Sequence, residues 1–282
     1  MISPYLNRRS LLNRTVFAAG ASLLASYPVL IERYMVQINR YRIPIPRLPS
    51  NFEKFTIVQL TDLHYCFSTP LFHIKKLIQR VNAIARDIVV CTGDYIHEMH
   101  THRQIDRIWP LLSTLTAPSG VLSILGNHDH WADENRSLYW LERSGTSIRH
   151  KRRRLERGDQ SLWFVGAGDF WEDHESIDHL MAPIPEDECR IVLAHNPDSA
   201  DTVYRSRFDL MISGHTHGGQ VNIPFYGPPL LPVKNKDYSC GLKKSTRDFP
   251  VFISRGIGWS LYPIRFNCFP EIAVLELSRC EE

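Results

Sequence analysis

Carboxylate and imidazole side chains directly follow several short apolar runs of this sequence. They occur in five groups: Asp62-Leu-His64, Gly93-Asp94, Gly126-Asn127-His128-Asp129, His195-Asn196 and Gly214-His215-Thr216-His217. Gathered in one place, such groups repel one another and resist desolvation unless a cation offsets their charge. Two divalent cations would satisfy the set, and its mixture of nitrogen and oxygen donors favours Mn, Fe or Zn over Ca or Mg. We therefore expect a dinuclear metal site.

Alternating strands and helices would position these groups in the first half of the chain. The predicted strands cover residues 55–60, 88–92 and 121–125. One predicted helix begins at Thr69-Pro70, and two more cover residues 102–113 and 133–143. Strands joined by helices in this way run parallel. In an open α/β sheet the loops at the carboxyl ends of the strands converge on one crevice, so ligands distant in sequence can meet there.

The second half of the chain is predicted to contain further strands. They cover residues 147–155 and 162–166 as a hairpin, then 191–194, 210–213, 220–223, 250–254 and 272–277. Two mixed sheets flanked by helices accommodate this order. The expected fold class is therefore α/β, as a four-layer α-β-β-α sandwich.

In chain order the five groups read D-x-H, G-D, G-N-H-D, H and G-H-x-H. They resemble the five signature motifs of the calcineurin-like metallophosphoesterases, and the likeness extends over residues 54–278. The strings LTDLHY at 60–65, AHNPD at 194–198 and GHTHGGQ at 214–220 resemble more narrowly the bacterial membrane-linked YaeI/YkuE-type branch. One such motif often arises by chance, whereas five in order at strand ends are specific.

The resemblance implies a role for each motif residue. The ligands of one ion would be Asp62, His64 and His217, and those of the other Asn127, His195 and His215, with Asp94 bridging both. Hydroxide held by the metals would attack phosphorus, so no Ser or Cys nucleophile is needed. His128 would donate a proton to the leaving oxygen or stabilise charge on the phosphoryl group, and Asp129 would orient it.

The leading hypothesis for the activity is a metal-dependent phosphodiesterase or pyrophosphohydrolase. Among families that the chain resembles, membrane-associated members hydrolyse UDP-2,3-diacylglucosamine in lipid A synthesis, which makes that nucleotide-lipid a candidate substrate. A phosphomonoesterase or cyclic-nucleotide phosphodiesterase is the alternative enzyme. A metal-free binding scaffold is the non-enzymatic alternative, although every motif residue is present.

Three histidines follow the second motif closely. His97, His100 and His102 could line a substrate cleft, but we interpret them as residues of a solvated loop. Purple acid phosphatases carry Tyr three residues beyond the bridging Asp, where this chain has His97. A redox Fe(III) site is therefore not expected.

The N-terminus combines a twin arginine with an apolar run. Arg8-Arg9 precedes the apolar residues 16–31, which resembles a twin-arginine export signal, and a plain membrane anchor is the alternative. We divide the chain into a signal-like or anchoring segment with a basic linker at 1–47 and a phosphoesterase domain at 48–282. The expected partners are a membrane surface and the twin-arginine translocase. The expected location is the bacterial inner membrane, with its side left open because export conflicts with a cytoplasmic lipid substrate.

Composition excludes several other classes of protein. The chain has 282 residues, of which 43% are hydrophobic, a globular rather than disordered composition. Residues 1–50 hold seven Arg and one Glu, so the basic character is concentrated there, and no nucleic-acid partner is expected. Six scattered Cys form no C-x-x-C pair and are interpreted as buried thiols.

Overall fold

The computed structural model describes residues 12–17, 26–66, 69–202 and 204–279. One sheet consists of five strands: β1 (Gln37–Pro44), β2 (Thr56–Leu60), β3 (Ile88–Cys91), β4 (Val121–Ser123) and β11 (Glu271–Ser278). Their spatial order is β1-β11-β2-β3-β4. The strands β2, β3 and β4 are parallel, whereas β11 runs antiparallel to β2. The first sheet is therefore mixed.

The second sheet consists of six strands: β5 (Arg152–Arg157), β6 (Gln160–Gly166), β7 (Cys189–Leu193), β8 (Leu210–Ser213), β9 (Gly241–Lys244) and β10 (Pro250–Ile253). Their spatial order is β5-β6-β7-β8-β10-β9. The four central strands are parallel, and the two edge strands β5 and β9 are antiparallel to their neighbours. This sheet is also mixed.

The two sheets pack face to face through one apolar cluster. Ile57 and Val90 of the first sheet and Phe164 and Ile191 of the second are fully buried in it. These strands read as nearly continuous apolar runs because both faces of each sheet are covered. The core therefore fixes the strand ends, where the chemical groups lie, relative to one another.

Helices cover the outer face of each sheet. The α-helices that do so are α1 (Leu71–Ala83), α2 (His102–Leu112), α3 (Asn127–Arg143) and α4 (Asp178–Met181). Ile74 of α1, Ile108 of α2 and Leu141 of α3 pack in one cluster with Val58 and Val89 of the first sheet. The one-turn helix α4 and the short 3-10 helix Pro197–Asp201 cover the second sheet. The fold is the predicted α/β arrangement of two mixed sheets flanked by helices.

Three predicted elements differ from the structure. The first strand of the predicted hairpin covers Arg152–Arg157 instead of 147–155, with only isolated bridges at Ser147 and Arg149 before it. Helix α3 begins at Asn127 instead of 133. A short helical segment precedes the predicted helix and is joined to it at a kink at Asp133 (φ −175°, ψ 107°). The strand predicted at 220–223 is wrong, since only the isolated bridges Val221–Phe266 and Ile223–Gly227 form there. Pro224 follows directly and has no N–H for a strand ladder.

The folded domain begins well before residue 48. Strand β1 pairs with β11 from Gln37 to Pro44, within the range predicted as signal and linker. Glu32 accepts a hydrogen bond from the Cys268 N–H (2.8 Å), and the guanidinium of Arg33 lies over the Trp259 ring. Residues from about 32 onwards therefore belong to the domain, which corrects the predicted boundary.

The rest of the N-terminal prediction lies largely outside the described residues. Arg8, Arg9 and Leu11 are not among those residues, so the export signal stays a prediction. Among the helices that the structure describes, none has the length and apolar character needed to cross a bilayer.

Candidate metal centre

The five motifs meet at the carboxyl ends of parallel strands from both sheets. Asp62 lies two residues after β2, Asp94 three after β3, and His195 and His215 two after β7 and β8. Asn127 is the first residue of α3, which follows β4. All seven residues predicted as metal ligands are buried, with at most 5% of any of them exposed. The structure therefore brings the whole predicted set together.

Most of these residues adopt a strained backbone conformation. Left-handed φ angles between 45° and 69° occur at Asp62, His64, Asp94, His215 and His217. Each costs on the order of 1 kcal/mol at a non-glycine residue and persists only where the surroundings enforce it. Backbone hydrogen bonds do so here: the Asp62 N–H donates to the Gly93 carbonyl and the His64 N–H to the Asp94 carbonyl, both at 3.0 Å. Strained backbone concentrated at one polar cluster is typical of a functional site.

Three of the predicted ligands form a first cluster. Ligand atoms of Asp62, His64 and His217 all lie within 4.8 Å of one another. The Nε2 atoms of His64 and His217 are 3.0 Å apart, and the His217 Nε2 is 3.4 Å from the Asp62 Oδ1. Two buried ring nitrogens and one carboxylate oxygen thus converge on the same small volume.

A second cluster lies beside the first and shares Asp94 with it. Ligand atoms of Asp94, His195 and His215 lie within 4.8 Å of one another. The Asp94 Oδ2 is 3.1 Å from the His195 Nε2 and 3.5 Å from the His64 Nε2 of the first cluster. This carboxylate therefore lies where it can contact both. The Oδ1 of Asn127 is buried and has no hydrogen-bond partner among the described residues.

The electrostatics of the centre favour a bound cation. Burial disfavours the charged form of Asp94, but the imidazoles of His195, His128 and His64 together outweigh it and hold the Asp94 pKa well below its usual range. Burial likewise opposes protonation of His195, yet Asp94 raises that pKa to about 10. Burial lowers the pKa of His215 to about 3 and holds those of His64 and His217 well below the usual range. The neutral imidazoles of His64, His215 and His217 lie beside the ionised Asp94, and the Asn127 amide oxygen lacks a partner among the described residues, a donor set that fits divalent metal ions. Metal binding would release the proton of His195, because only a neutral imidazole is a ligand.

The side chain of His128 lines the cavity above the two clusters. Its Nδ1 is 3.0 Å from the His97 carbonyl oxygen, an acceptor, so Nδ1 carries the proton and Nε2 stays available to a substrate. Its backbone N–H donates to the Asp94 Oδ1 (2.9 Å). His128 is therefore placed for a direct role on a bound phosphoryl group.

Asp129 does not orient His128, which corrects the role predicted for it. Its buried carboxylate accepts backbone N–H bonds from Asp94, Tyr95, Ile96 and Gly126 at 2.8 to 3.3 Å. Burial and the Asp94 charge raise the Asp129 pKa to about 8. Asp129 thus holds the loop that carries Asp94, and the His97 carbonyl holds the His128 ring instead.

Two contacts of the centre escaped the sequence interpretation. His97 is half-buried, with its Nδ1 3.4 Å from the His64 Nδ1, so it is no residue of a solvated loop. Arg265 is fully buried, and its guanidinium lies 3.3 Å from the His217 Nδ1 and donates to the Gly258 carbonyl (2.6 Å). Arg265 is the only charged residue between 256 and 270, a signal that could have marked it as buried and positioned.

The fold and the donor clusters define a metal-dependent phosphohydrolase, and comparison with known proteins supplies the family. The sequence model of the calcineurin-like phosphoesterase family matches residues 55–219. The chain is 33% identical to the uncharacterized metallophosphoesterase YkuE of Bacillus subtilis, over 82% of this chain and 81% of that protein. It is also 33% identical to the phosphodiesterase YaeI of Escherichia coli, over 80% of this chain and 83% of that protein. The chain therefore belongs to the calcineurin-like phosphoesterase family, whose members bind two divalent metal ions.

A more distant relative acts on a nucleotide-lipid. The UDP-2,3-diacylglucosamine pyrophosphatase LpxG of Chlamydia muridarum is 26% identical, over 81% of this chain and 86% of that protein.

Gly126 offers a test of how closely the strand ends approach one another. A Cβ atom at this position would lie 2.4 Å from the Asp94 Oδ1 and 2.8 Å from the His195 Cδ2, although its φ of −112° suits any residue. We expect Gly126→Ala to displace Asp94 and to lower kcat/KM by about 100-fold, as misplacement by about 1 Å can do. The measurement is steady-state hydrolysis of a chromogenic phosphodiester.

Gly145→Ala is the control for that substitution, because its added methyl group would meet no described residue within 4 Å. Its left-handed φ of 69° predicts lower stability with unchanged kcat/KM. Full activity of Gly126→Ala would show that the approach to Asp94 is not needed for catalysis.

Proposed function

We propose that this protein hydrolyses a phosphodiester or pyrophosphate bond in a membrane-associated, amphipathic substrate such as UDP-2,3-diacylglucosamine. The observation that carries the proposal is a cavity of about 710 Å³ that combines the donor clusters with a wall of large apolar side chains. That wall includes Met99, Trp131, Trp171 and Leu261. The relatives YaeI, a phosphodiesterase, and LpxG, a pyrophosphatase of this nucleotide-lipid, support the same choice.

The charge of the cavity favours a diester over a monoester. Of the described residues that line it, none is Lys or Arg, and Asp94 and Glu98 add negative charge. A phosphomonoester carries up to two negative charges, whereas the phosphate of a diester carries one. Because none of the described lining residues is a cation that could offset a second charge on the reacting phosphate, a diester, or a pyrophosphate linkage with one charge on each phosphate, suits this cavity better.

Each ion would have its own ligands in this proposal. Asp62, His64 and His217 would hold one ion, and Asn127, His195 and His215 the other, with Asp94 shared by both. When bound, two divalent ions lower the pKa of a water molecule and neutralise charge on the phosphoryl oxygens. Mn, Fe or Zn would suit this nitrogen and oxygen set. The Asn127 Oδ1 is buried and has no hydrogen-bond partner in the described part of the chain, which supports its assignment as a ligand.

His128 would supply the proton that the leaving oxygen requires. The His97 carbonyl fixes the Nδ1–H, so Nε2 is the atom that would hold and transfer this proton. The centroid of the Trp131 ring lies 4.8 Å from that of the His128 ring, so Trp131 packs against one side of the imidazole. A protonated Nε2 would also stabilise charge that develops on the phosphoryl group.

The two tryptophans would bind the apolar part of the substrate. The rings of Trp131 and Trp171 stack with centroids 6.2 Å apart and an interplanar angle of 18°, and the Trp171 ring lies 4.6 Å from that of His215. The Trp131 Nε1 donates to the Glu172 Oε1 (2.7 Å), which fixes its orientation. This aromatic wall stands directly beside the donor clusters and could contact an acyl chain or a uracil ring.

The membrane part of the proposal rests on the N-terminal sequence. The basic, twin-arginine start and the apolar residues 16–31 support association with the bacterial inner membrane.

The test compares three substrates with the metal-reconstituted full chain: a chromogenic diester, the matching monoester and the UDP-linked diacyl sugar. We expect kcat/KM for the monoester to be at least tenfold below that for the other two, and all activity to be lost with a chelator. Trp131→Ala and Trp171→Ala should raise KM for the UDP-lipid about tenfold, since lost aromatic contact costs about 1 to 2 kcal/mol. A monoester preference, or equal losses on small and lipid substrates, would contradict the proposal.

A further inference from the structure

Two loops hold large apolar side chains out into solvent. Phe225 is fully exposed and Leu261 is 71% exposed, and each is followed by an exposed tyrosine, Tyr226 and Tyr262. Both Phe225 (φ 66°) and Leu261 (φ 61°) have left-handed backbone, which is rare for bulky residues. Neither the strain nor the exposure stabilises the isolated domain. These features therefore indicate a contact outside the chain.

The two loops and the N-terminal segment form one continuous surface. The Asn222 N–H donates to the Phe266 carbonyl (2.8 Å), and the Gln220 Nε2 donates to the Ser260 carbonyl (2.8 Å), which joins the loops. The Arg265 N–H donates to the Pro28 carbonyl (3.0 Å), which joins them to residues 26–31. We call this surface the apolar face, and its most exposed side chains are Leu30, Phe225, Tyr226, Leu230, Leu261 and Tyr262.

The apolar face carries no negative charge. The segments 26–31, 220–231 and 257–268 contain no Asp or Glu, and their one charged residue, Arg265, is buried. An uncharged surface of this kind does not repel anionic lipid head groups. Tyrosine beside an aliphatic or phenyl side chain suits a membrane interface, where one end of the ring is apolar and the other meets water.

We propose that the apolar face docks on a lipid bilayer. The chain itself supplies the argument for lipid as the occupant, because residues 16–31 are an apolar run whose last part, 26–31, lies within this face. A membrane that binds residues 16–31 would therefore also contact the loop tips that carry Phe225 and Leu261. The contact is interfacial, through short apolar tips at the level of the head groups.

Docking in this orientation places the catalytic cavity next to the bilayer. Ser260 and Leu261 line the cavity, and Leu261 also belongs to the apolar face. The acyl chains of a lipid substrate could therefore stay in or near the membrane while the phosphate reaches the donor clusters. This consequence rests on the proposed function, whereas the docking itself does not.

The test uses the full chain with vesicles of phosphatidylethanolamine and phosphatidylglycerol. Amide hydrogen exchange in segments 223–227 and 260–266 should slow at least about tenfold when vesicles are added, with no change at the exposed Tyr139 of α3. Binding through the N-terminus alone would leave both segments unprotected and would overturn the proposal. Absence of any vesicle binding would also overturn it.

A paired substitution tests the side chains. Phe225→Ser with Tyr226→Ser should weaken vesicle binding at least about tenfold, while Tyr139→Ser should leave it unchanged. Both variants should hydrolyse a soluble diester at the wild-type rate, since none of these residues lines the cavity. Loss of vesicle binding with intact diester hydrolysis supports docking. Unchanged vesicle binding would contradict docking. A wild-type chain that fails to hydrolyse the diester would instead count against the proposed function.

Discussion

Asp94→Asn is expected to abolish hydrolysis while leaving the fold intact. The substitution keeps the shape of the side chain but removes the charge that contacts His195 and His64 at 3.1 and 3.5 Å. Because this carboxylate is shared by both donor clusters, its loss should weaken the binding of both ions. We expect kcat/KM to fall about 10³-fold or more, a loss typical for electrostatic groups at a reacting centre. Hydrolysis of a chromogenic diester by the metal-reconstituted variant measures it.

Asp106→Asn is the matched control for this substitution. Asp106 is partly exposed and pairs with Arg136 at 2.7 Å, far in sequence from the donor clusters. An exposed pair contributes about 1 kcal/mol or less, so activity and stability should change little. If Asp94→Asn kept wild-type activity and metal content, the shared position of this carboxylate would have no chemical role, and the binding-scaffold hypothesis would regain support.

His128→Ala should lower kcat by about 10²- to 10⁴-fold on a diester with an alkyl leaving group, the range typical of lost general acid catalysis. The loss should be much smaller with a nitrophenol leaving group, which departs as an anion without needing a proton. The KM should change little, because the metal ligands stay in place. Comparing the two leaving groups therefore isolates proton transfer from binding.

His179→Ala controls for the general effect of removing a histidine. His179 is exposed on α4, and its Nδ1 lies 2.9 Å from the Ser176 carbonyl. Its removal should leave both substrates unaffected. Equal losses on both leaving groups in His128→Ala would assign His128 to charge stabilisation on the phosphoryl group and refute its role as the proton donor.

The strands that carry the motifs could be predicted because each is a short apolar run buried on both faces and ended by a polar group. Strand β1 escaped prediction because it is an edge strand. Its residues alternate between exposed and half-buried positions, and its exposed Arg40 and Arg42 gave it the composition of a basic linker. Edge strands commonly carry charge because it discourages pairing with other chains. Composition alone therefore concealed a strand that belongs to the domain.

The candidate ligands could be predicted residue by residue, whereas the contacts around them could not. Asp129 follows His128 in the sequence, but neighbouring residues of a helix point about 100° apart and do not face each other. The carboxylate of Asp129 therefore meets the loop of Asp94 instead. The contacts of His97 with His64 and of Arg265 with His217 join residues 33 and 48 positions apart. The pairing of β2 with β3 brings the first pair together, and the long connection between β10 and β11 brings Arg265 to His217.

The central claim is that these buried clusters bind two metal ions that the reaction requires. Its most direct test is the metal content of the purified full chain, measured together with diester hydrolysis as Mn is added back to chelated protein. We predict two ions per chain at saturation, with activity that rises as they bind and disappears again with chelator. A folded chain that binds no stoichiometric metal, or that hydrolyses the diester equally well after chelation, would contradict the claim.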